Sequence, residues 1–190
     1  MNLERVLCVP TDHFNEVFAD FSPEKTSALF PFTQVRYIER DRGDGTGCEV
    51  DESHQQIIPY VVVRNRGRVL CYQRKGGGEK RLDAKLSIGI GGHINDGDAD
   101  YLAGVIREIR EELYLPVSWK CPPLKTLEII VERESAVGRV HAGLLHVLDL
   151  EDATVPTESP VYSYVHPEIL KGHPRLERWS QIAIDILHGS

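Results

Sequence analysis

Residues 91–115, GGHINDGDADYLAGVIREIREELYL, join a glycine turn to a run that carries three glutamates. An α-helix advances about 100° per residue, so Glu108, Glu111 and Glu112, at i, i+3 and i+4, project from one side of it. Like charges at that spacing weaken an unpaired helix by about a few tenths of a kcal/mol per pair, which calls for compensation. A divalent cation is the simplest form, because hard carboxylate oxygens are what Mg²⁺ selects. Gly91 and Gly92, lacking Cβ atoms, let the backbone approach a metal or phosphate, and a carbonyl of either can serve as a ligand. Arg107 lies to the side of the acidic face, where pairing with Asp98 or a helix glutamate would fix the carboxylate geometry.

Outward from this stretch, the helix is predicted to start near Asp98 to Asp100, either of which can cap free backbone amides. Leu102, Val105, Ile106, Ile109 and Leu113 form an apolar stripe beside the acidic one, and Pro116 ends the helix. LSIGI, residues 86–90, reads as a strand leading into the glycine turn. Further upstream, IIPYVVV, a turn at Arg64 to Gly67, and VLCYQR ending at Arg74 have the pattern of a hairpin whose first strand is covered on both faces. LEIIVE (127–132) and VHAGLLHVLDL (140–150) read as a second hairpin joined by a polar connection. RLERWSQIAIDIL closes the chain as a helix with Leu176, Trp179, Ile182, Ala183 and Ile186 at helical spacing.

Before the glycine-rich loop 41–47, Thr11 or Asp12 is placed to cap a short helix through Phe14, Val17 and Phe18. The order of strands, helix, strands and helix implies an α+β fold, a mixed β-sheet with helices packed against it. We divide the chain into an N-terminal αβ extension, residues 1–50, packed on a core domain, residues 51–190.

Composition narrows the function. The 190 residues suffice for one domain with a sizeable core. With 29 acidic and 22 basic residues, the formal charge of -7 argues against broad attraction to a nucleic-acid polymer or an anionic membrane. A small anionic substrate remains compatible, since local basic clusters outweigh a distant net charge. No apolar run reaches the roughly 20 residues needed to span a bilayer, and the opening residues do not read as a secretory signal, so a cytoplasmic setting is expected. Cys8, Cys48, Cys71 and Cys121 form no CxxC pair and read as incidental thiols.

The central stretch resembles the Nudix hydrolase family, whose signature is a glycine, five residues, Glu, seven residues, then Arg-Glu-apolar-any-Glu-Glu-any-Gly-apolar. Gly92 is followed here by five residues and Asp98, then by eight residues and REIREELYL from Arg107 to Leu115. Arg107, Glu108, Ile109, Glu111, Glu112 and Leu115 match. Asp98 replaces a glutamate, one extra residue precedes Arg107, and Tyr114 stands where the family has glycine. A left-handed residue there costs a non-glycine about 1–2 kcal/mol, which puts the helix-ending geometry in question.

The resemblance implies a Nudix-type α/β/α sandwich and a hydrolase dependent on Mg²⁺, or on Mn²⁺ in its place. Its substrate would be a nucleoside diphosphate linked to another group, or a related small-molecule phosphoanhydride. It assigns Glu108, Glu111, Glu112 and a carbonyl of Gly92 or Gly91 to the metal, and Glu108 or Glu112, supported by Arg107, to catalysis. Glu132, Glu134 and Glu158 are alternative bases. Arg74, with Lys75, Lys80, Arg81 and Lys85 in the adjoining loop, offers positive charge for phosphate, and His93, a residue type that titrates near neutrality, offers phosphate contact or a proton.

His141 and His146, five residues apart on one strand, face opposite sides and do not share a metal. Tyr60, Tyr72 and Trp179 can stack on a base, although core packing is the weightier reading. Two other classes remain open beside the hydrolase, a nucleotide-binding regulatory module and a diphosphate isomerase on the same scaffold. A homodimer through strand edges or the extension is likewise open.

Overall fold

The computed structural model describes residues 4–24, 36–41, 45–74, 85–150 and 162–189. Its spine is β3 (His54–Asn65), whose apolar run is buried almost throughout. Along one edge β8 (His141–Asp149) runs parallel to β3 from Gln56↔His141 to Arg64↔Asp149. The opposite edge is shared by three antiparallel partners. These are β1 (Arg5–Pro10) at Cys8 to Pro10, β6 (Gly89–Ile90) at Val61 and Val62, and β4 (Arg68–Gln73) through a tight hairpin. Arg66 and Gly67, both at positive φ (48° and 74°), close that hairpin in the sense that matches strand twist.

β2 (Arg36–Glu39) extends the sheet beyond β1, β5 (Leu86–Ser87) and β9 (Tyr162–Val165) flank β4, and β7 (Leu124–Val131) flanks β8. The described residues thus form one mixed sheet of nine strands. β1 and β2, from the N-terminal part, are hydrogen-bonded into it.

Alternation along β3 sends side chains into two cores. Ile57, Val61 and Val63 meet Val105, Ile109 and Leu113 of the helix segment α2 (Tyr101–Glu112 with its C-cap Leu113), and Phe14 of α1 (Thr11–Ala19) joins that side. Tyr60 and Val62 face the other way, toward Ala183 and Ile184 of α5 (Arg178–Gly189). This is the expected sandwich of helices about a mixed sheet. Each fully buried Val, Leu or Ile contributes about 1.5–3 kcal/mol, which is how the two layers hold α2 against the sheet. Two short helical turns, α3 (Ala136–Val140) and α4 (Pro167–Leu170), complete the described elements.

Local details depart from the sequence reading. Leu102 is 53% exposed rather than part of the buried stripe, because the core contact of α2 starts one turn later at Val105. Pro10, not Thr11 or Asp12, occupies the cap of α1, and the Thr11 hydroxyl instead donates to the carbonyl of Glu52. The polar connection between β7 and β8 contains α3, capped by Ser135. The last helix starts at Arg178, because residues just before it exchange backbone hydrogen bonds with Leu86 of β5. No helix among the described residues is long and apolar enough to cross a membrane.

Candidate active site

The turn before α2 is tied to the helix by one residue. Asp98 Oδ2 accepts from the backbone N–H of Asn95 at 2.8 Å, which folds the turn. Both oxygens of Asp98 then take the Arg107 guanidinium, Nε to Oδ1 at 2.9 Å and Nη2 to Oδ2 at 3.0 Å. The shorter acid reaches because the helix approaches closely at Gly104, where a Cβ would stand 2.7 Å from Asp98 Oδ2. Asp100 caps the helix by accepting from the N–H of Ala103 at 2.8 Å.

Arg107 joins the turn to the glutamates. Its Nη1 donates to Glu108 Oε1 at 2.6 Å and to Glu111 Oε2 at 3.1 Å, while Nη2 also donates to the carbonyl of His93 at 2.8 Å. Gly92 packs against the same carboxylate, and a Cβ there would lie 2.4 Å from Glu108 Oε2. The structure therefore brings Gly92, Asp98, Arg107, Glu108 and Glu111 together. Glu112 lies one residue further along the same face.

The electrostatics of the cluster are unbalanced. Hydrogen bonds from Arg107 hold Asp98 below the usual carboxylate range, and those with Asp98 and Glu108 push Arg107 up against the effect of burial. Glu108 shifts up instead, chiefly by burial, which the arginine only partly offsets while Glu111 and Glu112 repel it. Partial burial raises Glu112 as well, opposed by the positive charge of Arg74. Arg74, anchored at the end of β4 by its backbone N–H to the carbonyl of Lys85 at 2.9 Å, thus sits beside the acidic face. Four carboxylates share two guanidinium groups, a surplus that attracts cations.

Tyr114 is the informative departure. It lies in the left-handed region at φ 53° and closes α2 as glycine would. The N–H of Leu115 reaches the carbonyl of Arg110 at 2.8 Å and that of Tyr114 the carbonyl of Glu111 at 3.4 Å, the paired pattern of a Schellman ending. The helix therefore ends before Pro116 is reached.

The other candidates fall elsewhere. Lys75, Lys80, Arg81 and Glu158 lie outside the described residues. The His93 ring packs edge-on against His141 at 5.8 Å, and burial, with the charge of Arg40, lowers its pKa to about 3. It is therefore neutral at pH 7, unlike the near-neutral titration expected of the residue type. Glu132 accepts from the N–H groups of Glu134 (2.5 Å) and Ser135 (2.8 Å) and from the Ser135 hydroxyl, so it organises the α3 loop.

His141 and His146 do diverge. The latter pairs with Tyr101 Oη at 2.9 Å and Thr126 Oγ1 at 3.1 Å. Tyr60 and Trp179 meet edge-to-face in the α5-side core, and Tyr72 donates to the carbonyl of Gly89, so neither tyrosine hydroxyl is turned to a ligand. Sequence reasoning missed Tyr162, whose hydroxyl donates to the carbonyl of Glu112 at 2.9 Å and whose ring lies 5.3 Å from that of Tyr72. Only the pairing of β9 with β4 brings it there, and no local pattern announces that pairing.

No family model matches the chain. It is 34% identical to protein YmaB of Bacillus subtilis (strain 168), with 97% of each chain covered. Among solved structures, Tm1382, a candidate Nudix hydrolase, is 27% identical and superposes with a TM-score of 0.75 over 98% of this chain and 99% of its own. The Nudix domain of Shewanella oneidensis NrtR in complex with ADP ribose (13% identity, TM-score 0.53, 92% and 96% covered) has the same fold. So does a MutT Nudix hydrolase from Burkholderia pseudomallei (15%, 0.53, 70% and 98%).

Proposed function

The chain belongs to the Nudix hydrolase family, and on that premise we propose that it uses water to cleave the pyrophosphate linkage of a nucleoside diphosphate derivative or related phosphoanhydride, dependent on Mg²⁺ or Mn²⁺. The observation that carries the proposal is the Arg107 clamp, which holds Glu108 and Glu111 on one face beside Gly92 while leaving the cluster short of positive charge.

The donor set fits a hard divalent ion. Glu108, Glu111 and Glu112 supply carboxylate oxygens and Gly92 a carbonyl, with no softer ligand among them. When bound, such an ion polarises phosphate oxygens and acidifies water. The chain's own residues do the rest. Arg107 is a positioning residue that orients two carboxylates through Asp98. Glu112, whose carboxylate takes no hydrogen bond among the described residues and whose pKa is raised, is the best placed to accept the proton of the attacking water. Arg74, whose charge is felt by Glu112, would pair with substrate phosphate, and Lys80 and Arg81 extend that charge in sequence. We further propose that the N-terminal part, residues 1–50, shapes specificity as an extension of the 51–190 domain.

The departures from the signature do not favour a binding-only module, since Asp98 reaches Arg107 and Tyr114 completes the helix end. The direct test incubates the protein with Mg²⁺ or Mn²⁺ and a panel of nucleoside diphosphate derivatives. ADP ribose belongs in it because the NrtR domain holds that compound. We expect nucleoside monophosphate release, reduced at least about 100-fold in Glu111→Gln and Glu112→Gln. No turnover across the panel, or full turnover in both variants, would overturn the proposal. Thermal stabilisation by a panel member without product would point to the regulatory module instead.

A further inference from the structure

A second group of ligating side chains lies apart from the acidic face. Glu49, His93 and His141 each bring one donor atom within 4.8 Å of the other two. They come from three separate parts of the chain: the connection before β3, the residue after Gly92, and the first residue of β8. Gln56 of β3 stands in register between Cys8 of β1 and His141 of β8, so the side chains of Cys8, Gln56 and His141 share one face of the sheet. Ile57, the next residue, faces the α2 core, so Gln56 and His141 lie on the opposite face of the sheet.

One buried polar atom of the cluster, His93 Nε2, has no hydrogen-bond partner, and neither has Gln56 Oε1, on the residue that pairs with His141 across β3 and β8. Buried polar groups are almost always satisfied, so an unpartnered imidazole nitrogen among ligating side chains needs an explanation. The surrounding contacts are those that orient ligands. The His141 Nδ1 is paired with the Val137 carbonyl at 2.9 Å, which fixes the orientation of the ring. The Arg40 Nε donates to Glu49 Oε1 at 2.6 Å, and Arg40 is in turn held by Glu4 at 3.0 Å, so its charge is shared between two acids and the second oxygen of Glu49 stays available.

We propose that Glu49, His93 and His141 form a binding site for a first-row transition-metal ion of the Zn²⁺ type, separate from the carboxylate cluster of α2. Two imidazoles and a carboxylate are the donors such ions take, whereas Mg²⁺ prefers oxygen alone. The ion would join the connection before β3 to β8 through His93, and so brace the glycine turn that carries Gly92.

The test uses the full chain stripped with a chelator and then titrated with Zn²⁺ or Co²⁺ in the presence of excess Mg²⁺. One equivalent is expected to bind, with the Co²⁺ form showing the intense visible absorption of a low-coordinate nitrogen and oxygen site. His141→Gln is expected to weaken binding at least 100-fold, and Glu111→Gln to leave it unchanged. Because a buried histidine variant can misfold, Glu49→Gln, at a partly exposed position, provides a second measurement and is expected to weaken binding at least 10-fold. Loss of binding in Glu111→Gln with retention in Glu49→Gln would overturn the proposal, since it would place the ion on α2. A stripped protein that takes up no ion would overturn it as well. Either result leaves the hydrolase reading intact, since that is read from turnover.

Discussion

Each face of the sheet buries a carboxylate near a helix, and the two are treated in opposite ways. On the α5 side, Glu177 is 8% exposed and fully engaged. It accepts from the hydroxyls of Tyr60 (2.7 Å), Ser180 (2.6 Å) and Ser87 (3.4 Å) and from the N–H groups of Trp179 and Ser180 (both 3.0 Å). On the α2 side, Glu108 shares one arginine with Asp98 and Glu111 and is raised by burial and by its acidic neighbours. The first carboxylate is a finished piece of structure, a helix cap that also organises a core. The second keeps an unmet demand for positive charge, the imbalance on which the proposed chemistry relies.

The comparison yields a crossed expectation. Glu108→Gln removes a charge that the fold tolerates poorly, so activity should fall on the order of 1000-fold while the metal-free protein melts no lower than the parent. Glu177→Ala should do the reverse. It removes the acceptor shared by three hydroxyls and two helix amides, at a cost of about 3 kcal/mol, with kcat on the folded fraction unchanged. Denaturant midpoints and single-turnover rates on both variants decide the matter. A stability loss in Glu108→Gln as large as that in Glu177→Ala would dissolve the distinction.

Acid separates two parts of the α2 side itself. Burial lowers the pKa of His146 from 6.5 to about 4. As pH falls below 6.5 the unfolded chain takes up a proton that the folded chain refuses, so this contribution is full above 6.5 and is lost progressively down to about 4. The full loss is about 3 kcal/mol. Glu108 and Glu112, raised rather than lowered, act in the other sense and favour the fold as they protonate. We expect His146→Gln, which can keep its contacts to Tyr101 and Thr126, to flatten the fall in urea midpoint between pH 7 and pH 5. An unchanged slope in the variant would remove His146 as its source.

How much of this is legible in sequence depends on how local the determinant is. The acidic face, its apolar counterpart, the capping aspartates and the Asp98–Arg107 pairing all lie within one turn and one helix, where residue spacing is geometry. Glu177 escapes because RLERWS reads as a charged helix start, and only the sheet behind it supplies Tyr60 and Ser87. Glu49 carries no signal at all. It meets His93 and His141 only because β3 pairs with β1 on one edge and with β8 on the other, at separations of 44 and 92 residues along the chain. Leu102 fails for a subtler reason: periodicity gives the stripe but not the turn at which the helix first touches the sheet.

Tyr114 offers the smallest and cleanest adjustment. At φ 53° it holds a backbone conformation that costs a non-glycine residue about 1–2 kcal/mol, and at 66% exposure its ring recovers little of that by packing. Glycine removes the strain but raises the entropy of the unfolded chain, which takes back about 0.5–1 kcal/mol. Tyr114→Gly should therefore stabilise the protein by about 0.5–1 kcal/mol, a rise of a few degrees in Tm at most for a chain of this size. Because the Schellman bonds to Arg110 and Glu111 use backbone atoms alone, the glutamates keep their places and turnover should not change. If the variant gains stability yet loses activity, the tyrosine ring contributes to the acidic site itself, and the division between a finished helix end and an unfinished charge cluster must be redrawn to include it.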